Sequence, residues 1–177
     1  MRYFVLEVDE DFVAPRLKGW FGRLDTKNFD VGQYDPAPGR MVFHVESHMQ
    51  TVFTDVILHP RLMVSKRAMH VIKHYEPFVQ FVRILLVDRE RKDSKAYYIP
   101  DLETVDVLTE NSRFNLDKSV IHHLEVDADK IRDKTLIQVA NVNRTCILIH
   151  SNVVESLLRR GMIGIGLQQV DIRYQTV

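Results

Sequence analysis

The 177-residue sequence is poor in the features that mark secreted and membrane-spanning proteins. It contains a single cysteine, Cys146, so an internal disulfide is excluded and a reducing compartment is favoured. No apolar run approaches the roughly 20 residues that a membrane-spanning helix needs. Residues 1–8 are too few, and become acidic too early, to form a secretion signal. We therefore expect a soluble, cytoplasmic protein that does not associate with membranes.

The sequence also lacks an excess of charge of either sign. Its 24 lysine and arginine residues balance 24 aspartate and glutamate residues. Proteins that bind nucleic acids usually carry a basic excess, because neutralising phosphates supplies much of their affinity. We therefore expect no nucleic-acid partner. The apolar fraction of 45% and the charged fraction of 27% are ordinary globular values, and the length suits one domain spanning residues 1–177.

Glycine and proline are scarce, and they are concentrated in the N-terminal part of the chain. Four of the seven glycines and three of the six prolines lie in residues 9–40. This composition predicts a long, loop-rich segment, and loops of such length are commonly functional or disordered. Aromatic residues occur along the segment, which favours order over a free linker: Phe12, Trp20, Phe21, Phe29 and Tyr34.

The loop-rich segment contains the residues that we expect to bind a partner. Trp20 and Phe21 lie between two glycines, and aromatic and arginine side chains are enriched at the centres of protein interfaces. The candidates for partner binding are Trp20, Phe21, Arg23 and Tyr34. The alternative is structural, since Trp20 would in that case pack on the core and anchor the loop.

The rest of the chain alternates between apolar runs and turn-forming residues. Strands are predicted at residues 3–8, 41–46, 52–58, 79–87, 95–100, 103–109, 120–126, 135–139, 145–150 and 165–172. The three runs between residues 79 and 109 are typical of a meander, and residues 127–133 contain a candidate helical turn. Together with two short helices, these runs predict an α+β fold with a mostly antiparallel sheet.

Each of the two predicted helices begins at a serine. Ser65 and Ser151 occupy N-cap positions, where the hydroxyl can accept a hydrogen bond from the first turn. An apolar stripe with helical spacing follows each serine, and Gly161 can adopt the left-handed conformation that ends a helix. Both units consist of an apolar run, a serine cap, a short helix and a strand. Residues 57–87 and 145–172 are therefore candidates for an internal pairing of related units.

Eight histidines suggest a metal site as one hypothesis. His70 and His74 would share one face of the first helix, four residues apart. A catalytic zinc needs a third protein ligand, and no cysteine or carboxylate at a suitable spacing accompanies this pair. His44 and His48 would lie roughly 13 Å apart along a strand, too far to chelate one ion. We expect no metal, although an uncharacterised metal- or ligand-binding enzyme that uses these histidines stays open.

The sequence assigns no residue a catalytic role. Cys146 lies in a β-branched run, where a cysteine is usually a small core residue rather than a nucleophile. Gly161, Gly164 and Gly166 follow a predicted helix, whereas a dinucleotide-binding loop follows a strand and opens a helix. Gly164 and Gly166 are therefore expected to mark a bulge or a close approach of two backbones. We also expect no cofactor.

Several segments are similar, in order, to those of one group of known proteins. They are residues 1–7, Gly19-Trp20, residues 62–65 with the helix that follows, residues 78–86, Tyr97-Tyr98-Ile99, residues 105–108, Asn111-Ser112, residues 149–151 and residues 161–164. In these segments the chain resembles an immunity-protein family of bacterial polymorphic toxin systems, formerly catalogued as a domain of unknown function. Residues 25–56 match nothing in that family.

The resemblance implies a non-enzymatic antidote that binds and neutralises a toxin encoded nearby in the genome. It transfers no catalytic residue and no toxin-contact position to this chain. A protein-interaction adaptor would also act by binding another protein, although its partner would not be a toxin. The adaptor is therefore a second alternative, besides the metal- or ligand-binding enzyme. The partner that the resemblance predicts is a cognate toxin protein.

Overall fold

The computed structural model describes residues 2–24 and 41–174. In chain order the strands are β1 (Tyr3–Glu7), β2 (Arg16–Leu17), β3 (Val42–Glu46), β4 (Val56–Ile57), β5 (Met63–Ser65), β6 (Phe81–Asp88), β7 (Asp93–Pro100), β8 (Thr104–Val105), β9 (Arg113–Phe114), β10 (Ile121–His123), β11 (Glu125–Asp127), β12 (Leu136–Val139), β13 (Ile147–His150), β14 (Gly166–Gln169) and β15 (Asp171–Arg173). The helices are α1 (Lys66–Tyr75), α2 (Ala128–Ile131) and α3 (Ser151–Leu158). The predominance of strands agrees with the predicted α+β class.

Two sheets form the framework of the protein. The first has the strand order β14-β1-β13-β12-β8, and the second has the order β2-β3-β6-β7-β5-β4. Most neighbouring strands are antiparallel, as predicted. The parallel pairs among the described strands are β12 with β8, β3 with β6, and β11 with β15. Strand β1 lies inside the first sheet, where Phe4 pairs with Ile149 and Leu6 with Leu167, so the start of the chain is joined to its last third.

Helices α1 and α3 contact each other and lie between the two sheets. Their buried faces pack with Leu6 and Ile149 of the first sheet and with Val64 of the second. Successive side chains of a strand point to opposite faces. Accordingly, Val5 belongs to a second cluster on the outer face of the first sheet, and Tyr97 to a third on the outer face of the second. Both sheets therefore bury apolar side chains on both faces.

The segments around α1 and α3 have the same topology. In the second sheet, β5 leads through α1 to β6, and β7 lies between these two strands. In the first sheet, β13 leads through α3 to β14, and β1 lies between them. The middle strand is antiparallel to both neighbours in each case. A shared topology does not establish related sequences, so the internal pairing of residues 57–87 with 145–172 stays a prediction.

Several local predictions are confirmed. The Ser65 hydroxyl accepts a hydrogen bond from the N–H of Ala68 at 3.2 Å, so Ser65 is the N-cap of α1. Strands β6 and β7 pair along their full length, as expected for the first two strands of the predicted meander. The predicted helical turn at residues 127–133 contains α2, and Gly161 adopts a φ of +63° after α3.

The predicted cap of the second helix is wrong. Helix α3 begins at Ser151, and its N-cap is His150, whose Nδ1 accepts a hydrogen bond from the N–H of Asn152 at 3.2 Å. The His150 ring also makes an edge contact with Tyr3, with 5.0 Å between the ring centroids. Because β13 ends at His150 and the helix follows directly, the cap falls one residue before the serine.

The predicted meander is also wrong in its third strand. After β7 the chain leaves the second sheet, and β8 pairs in parallel with β12 of the first sheet. Of the predicted run 103–109, only Thr104–Val105 is a strand. The reason is burial, since Val105 and the fully buried Val107 pack into the cluster on the outer face of the first sheet. The strands of the predicted meander are thus divided between the two large sheets.

The histidine cap makes the stability of the protein depend on pH. Burial lowers the pKa of His150 below its ordinary value of 6.5. A protonated Nδ1 cannot accept the N–H of Asn152, so the cap is fully present above pH 6.5 and is lost as the pH falls through the lowered pKa. Between about pH 7 and about pH 5, the wild type should lose up to about 1 kcal/mol of unfolding free energy relative to His150→Asn. Urea denaturation at both pH values measures this, and an equal pH dependence of the two proteins would contradict it.

The N-terminal loop is described as far as Leu24. Residues 9–24 contain the two-residue strand β2 and an isolated bridge between Val13 and Thr51, and are otherwise irregular. Residues 25–40 lie outside the described residues. In the described part of the chain, no helix combines the length and the apolar character needed to cross a membrane.

Candidate partner-binding cleft

A tight turn that begins at Trp20 carries the candidate aromatic residues. The N–H groups of Arg23 and Leu24 both donate to the carbonyl oxygen of Trp20, at 3.0 and 2.9 Å. Gly22 has a φ of +73°, a conformation that residues with a side chain rarely adopt. Leu24 is 0% exposed and packs into the third cluster. The core therefore holds the end of the turn, and with it the positions of Trp20 and Phe21.

Trp20 is half-buried and lies against His59. The two ring centroids are 5.2 Å apart and the ring planes are nearly perpendicular, at 86°. His59 belongs to the loop between β4 and β5, so this contact joins the N-terminal loop to the second sheet. Phe21 makes an edge contact with Trp20 at 5.9 Å, and it remains 80% exposed. Trp20 thus supports an aromatic ring that projects into solvent.

Two adjoining hollows share Val8, Trp20, Leu58 and His59, and together they form what we call the aromatic cleft. The first hollow has a volume of about 590 Å³ and the second about 720 Å³. Both volumes fall within the range of roughly 300–1,000 Å³ that is typical of binding sites. Other residues that line the first hollow include Asp9, Phe12, Val13, Arg16 and Glu46, and those of the second include Glu7, Phe21, Asn143 and Arg144.

An ion pair holds one side of the second hollow. The Nη2 of Arg144 donates to both carboxylate oxygens of Glu7, at 2.8 and 2.9 Å. Glu7 ends β1, and Arg144 lies in the loop between β12 and β13, so the pair fastens that loop to the neighbouring strand. The side chains are 34% and 32% exposed. Because solvent screens such a pair, its main contribution is to geometry rather than to stability.

The buried Asp55 joins two segments that contribute residues to the wall of the first hollow. Its Oδ1 accepts a hydrogen bond from the Oγ of Ser65 at 2.6 Å, and its Oδ2 accepts one from the N–H of Ile163 at 3.1 Å. The N–H of Asp55 donates in turn to the carbonyl oxygen of Ile163 at 2.9 Å. These bonds join the cap of α1 to the loop after α3. The adjacent Thr54 and, next to Ile163, Gly164 line the hollow.

The predicted close approach at Gly164 and Gly166 is confirmed. A Cβ on Gly164 would lie 2.5 Å from the Cβ of Thr54, and a Cβ on Gly166 would lie 2.6 Å from the carbonyl oxygen of Val8. Both distances are shorter than real contacts of a Cβ. Since Thr54 and Val8 line the first hollow, the two glycines allow the chain after α3 to pack directly against its wall.

Four of the ten large apolar side chains that are exposed in the described part of the chain lie at or beside the cleft. Val8 is 66% exposed, Val13 40% and Phe21 80%, and all three line one or both hollows. Val52 adjoins them, because its N–H donates to the carbonyl oxygen of Val13 at 2.9 Å. Single exposed apolar residues are ordinary, but a group of them beside a concave surface is typical of an interface.

The structure places the four residues predicted to bind a partner in different surroundings. Trp20 and Phe21 line the cleft, and Trp20 also packs against the third cluster. The guanidinium carbon of Arg23 lies 4.2 Å from the ring centroid of Phe43, and Arg23 lines neither hollow. Tyr34 lies outside the described residues.

Three residues that form or support the cleft were not predicted from the sequence. His59 contacts Trp20, Val8 is shared by both hollows, and Asp55 fixes the segments next to Thr54 and Gly164. No sequence pattern relates these three residues to one another, because each lies in a different loop or at a different strand end. The only available signal was weak: His59 precedes a proline, which marks a loop.

The histidines considered as metal ligands and the cysteine considered as a nucleophile lie in environments that do not suit those roles. His70 and His74 are both exposed on α1, as predicted. Cys146 is buried in the second cluster, and burial raises the pKa of its thiol to about 11, so the thiol stays protonated at neutral pH. In the described ranges, no three His, Cys, Asp or Glu side chains are grouped so that they could hold a metal ion.

Comparisons with known proteins assign no family to the chain. No protein-family model matches it, and no curated protein matches it significantly. The resemblance to an immunity-protein family therefore stays a prediction.

Proposed function

We propose that the protein is a non-enzymatic immunity protein that binds a cognate bacterial toxin in the cytoplasm and neutralises it. The ordered resemblance supplies the class of partner, and the aromatic cleft supplies a surface on which a protein can dock. The single cysteine suits a reducing cytoplasm, and the balanced charge favours a protein partner over a nucleic acid.

The exposed ring of Phe21 is the observation that carries this proposal. The ring projects beside two hollows, yet it belongs to a turn whose last residue, Leu24, is fully buried. A side chain held by an ordered turn loses little conformational freedom when a partner covers it. Buried aromatic anchors of this kind supply a large share of the energy of protein interfaces. The cleft thus offers both a projecting anchor and concave sites for anchors of the partner.

Replacing Phe21 with alanine should weaken the complex with the toxin about 10- to 100-fold, because the variant lacks the projecting anchor. The melting temperature should stay close to that of the wild type, since an 80% exposed side chain contributes little to folding. Isothermal titration calorimetry with the purified product of the adjacent gene measures the change in affinity.

The matched control for this experiment is Phe78→Ala. Phe78 is 91% exposed, lies in the loop between α1 and β6, and lines neither hollow. The control variant should bind the toxin with the affinity of the wild type. If both alanine variants bind like the wild type, the aromatic cleft is not the binding surface.

Growth experiments separate neutralisation from binding. Cells that produce the toxin should survive when they also produce the wild-type protein, and survive less well with Phe21→Ala. A complex without protection would indicate an adaptor instead of an immunity protein. Neither a complex nor protection would defeat the proposal.

A further inference from the structure

An acidic turn borders the first hollow of the aromatic cleft. It consists of Asp9, Glu10 and Asp11, between the end of β1 and Phe12. The N–H of Phe12 donates to the carbonyl oxygen of Asp9 at 3.2 Å, and the Oδ1 of Asp9 accepts the N–H of Asp11 at 3.2 Å. Asp9 and Phe12 both line the hollow. The turn therefore places Asp9 in the wall of the hollow, with the exposed Glu10 and Asp11 directly after it in the chain.

The charge of the acidic turn is not neutralised by the described part of the protein. None of its three carboxylates forms an ion pair with another described residue. Glu46 also lines the hollow and lies 3.8 Å from Lys18, and Arg16 lines the same wall. Among the described residues, the charged ones that line the first hollow are Asp9, Glu46 and Arg16. Glu10 and Asp11 follow Asp9 directly, and Lys18 pairs with Glu46, so this described group has four carboxylates and two cations.

Much of the remaining wall of the first hollow is apolar. Phe12, Val13, Trp20 and Leu58 form part of it, and the exposed Val8 continues it towards the second hollow. A matching occupant has to offer apolar surface to this wall and positive charge to the acidic turn. An acidic occupant would place like charges together, which opposes docking.

We propose that the first hollow docks a basic segment of the partner protein, whose apolar side chain enters the hollow while its lysine or arginine side chains lie against the acidic turn. This inference rests on the proposed function and names the chemistry of the toxin surface that makes contact. Complementary charges accelerate association and are screened by salt. The attraction should therefore be visible in the association rate constant and in its dependence on ionic strength.

The test replaces the three carboxylates of the acidic turn with amides, in the variant D9N/E10Q/D11N. An asparagine at position 9 keeps an oxygen that can accept the same backbone N–H, so the turn is retained. With the purified product of the adjacent gene as the probe, the variant should bind about ten-fold more weakly, mainly through slower association. Between about 0.05 M and about 0.5 M NaCl, its affinity should also change less than that of the wild type.

The matched control is D101N/D106N/D133N, which removes the same charge from three exposed residues that line neither hollow. This control should bind the probe like the wild type. If the two triple variants have the same affinity and association rate constant, the basic segment is ruled out while the proposed function stands. If the wild type forms no complex with the probe, the proposed function fails and this inference fails with it.

Discussion

Replacing Asp55 with alanine should lower the free energy of unfolding by about 3–5 kcal/mol. The variant lacks the acceptor of the Ser65 hydroxyl and of the Ile163 N–H, and it leaves both donors without their partner. A hydrogen bond to a charged group contributes about 1.5–3 kcal/mol, and an unsatisfied buried donor adds to the cost. Because the two donors lie on different elements, the cap of α1 and the loop after α3 loosen together. Urea denaturation of the wild type and the variant measures the loss.

Two milder variants identify which of these bonds causes the loss. Asp55→Asn keeps the size of the side chain and one acceptor, so we expect a loss of about 2 kcal/mol. Ser65→Ala removes the bond to Asp55 together with the N-cap bond to Ala68, and should cost about 2 kcal/mol. If these groups form one network, the double variant should lose less than the two single losses added together. Strict additivity would show that the bonds are independent.

Replacing Gly164 with alanine should lower the free energy of unfolding by about 2–5 kcal/mol, through backbone strain and overpacking together. Its φ of +83° disfavours any residue with a side chain. The added methyl group would also lie 2.5 Å from the Cβ of Thr54 and 2.8 Å from the carbonyl oxygen of Val56. Neither atom is the end of a flexible side chain, so the backbone has to move. Thermal and urea denaturation should both report the loss.

The variant Gly161→Ala distinguishes backbone strain from overpacking. Gly161 has a similar positive φ of +63°, but apart from its chain neighbours no atom of a described residue lies within 4 Å of the position that a Cβ would occupy. This variant should therefore show only the backbone strain, about 1 kcal/mol. Equal losses in the two variants would contradict a steric role for the contact with Thr54.

The parts of the fold that were predicted from sequence are those encoded over a few residues. Ser65 caps α1 because a hydroxyl can reach an N–H three residues later, and the apolar stripe of α1 follows from the helical repeat. The β6–β7 hairpin was predicted because two apolar runs flank a short polar segment. The cap of α3 was missed because His150 is an uncommon N-cap residue, although its Nδ1 accepts the same kind of bond.

The cleft was predicted only in part. Trp20 and Phe21 were identified from aromatic residues beside glycines in an irregular segment. Their neighbour His59 was not, because it comes from a loop on the other side of β3 in sequence and has no spacing relation to Trp20. The role of Asp55 was hidden for the same reason, since 108 residues separate it from Ile163.

By itself, the sequence determined the local pieces of this protein: where α1 starts, where the long hairpin turns, and which glycine ends α3. Each of these features depends on residues that are close together in the sequence, so a short sequence pattern is enough to predict it. Only the tertiary structure decided that β1 is inserted between β13 and β14, that β8 joins the first sheet, and that an aromatic turn meets His59. These choices depend on which apolar surfaces can cover one another, and burial between distant segments leaves no periodic signature in the residues themselves.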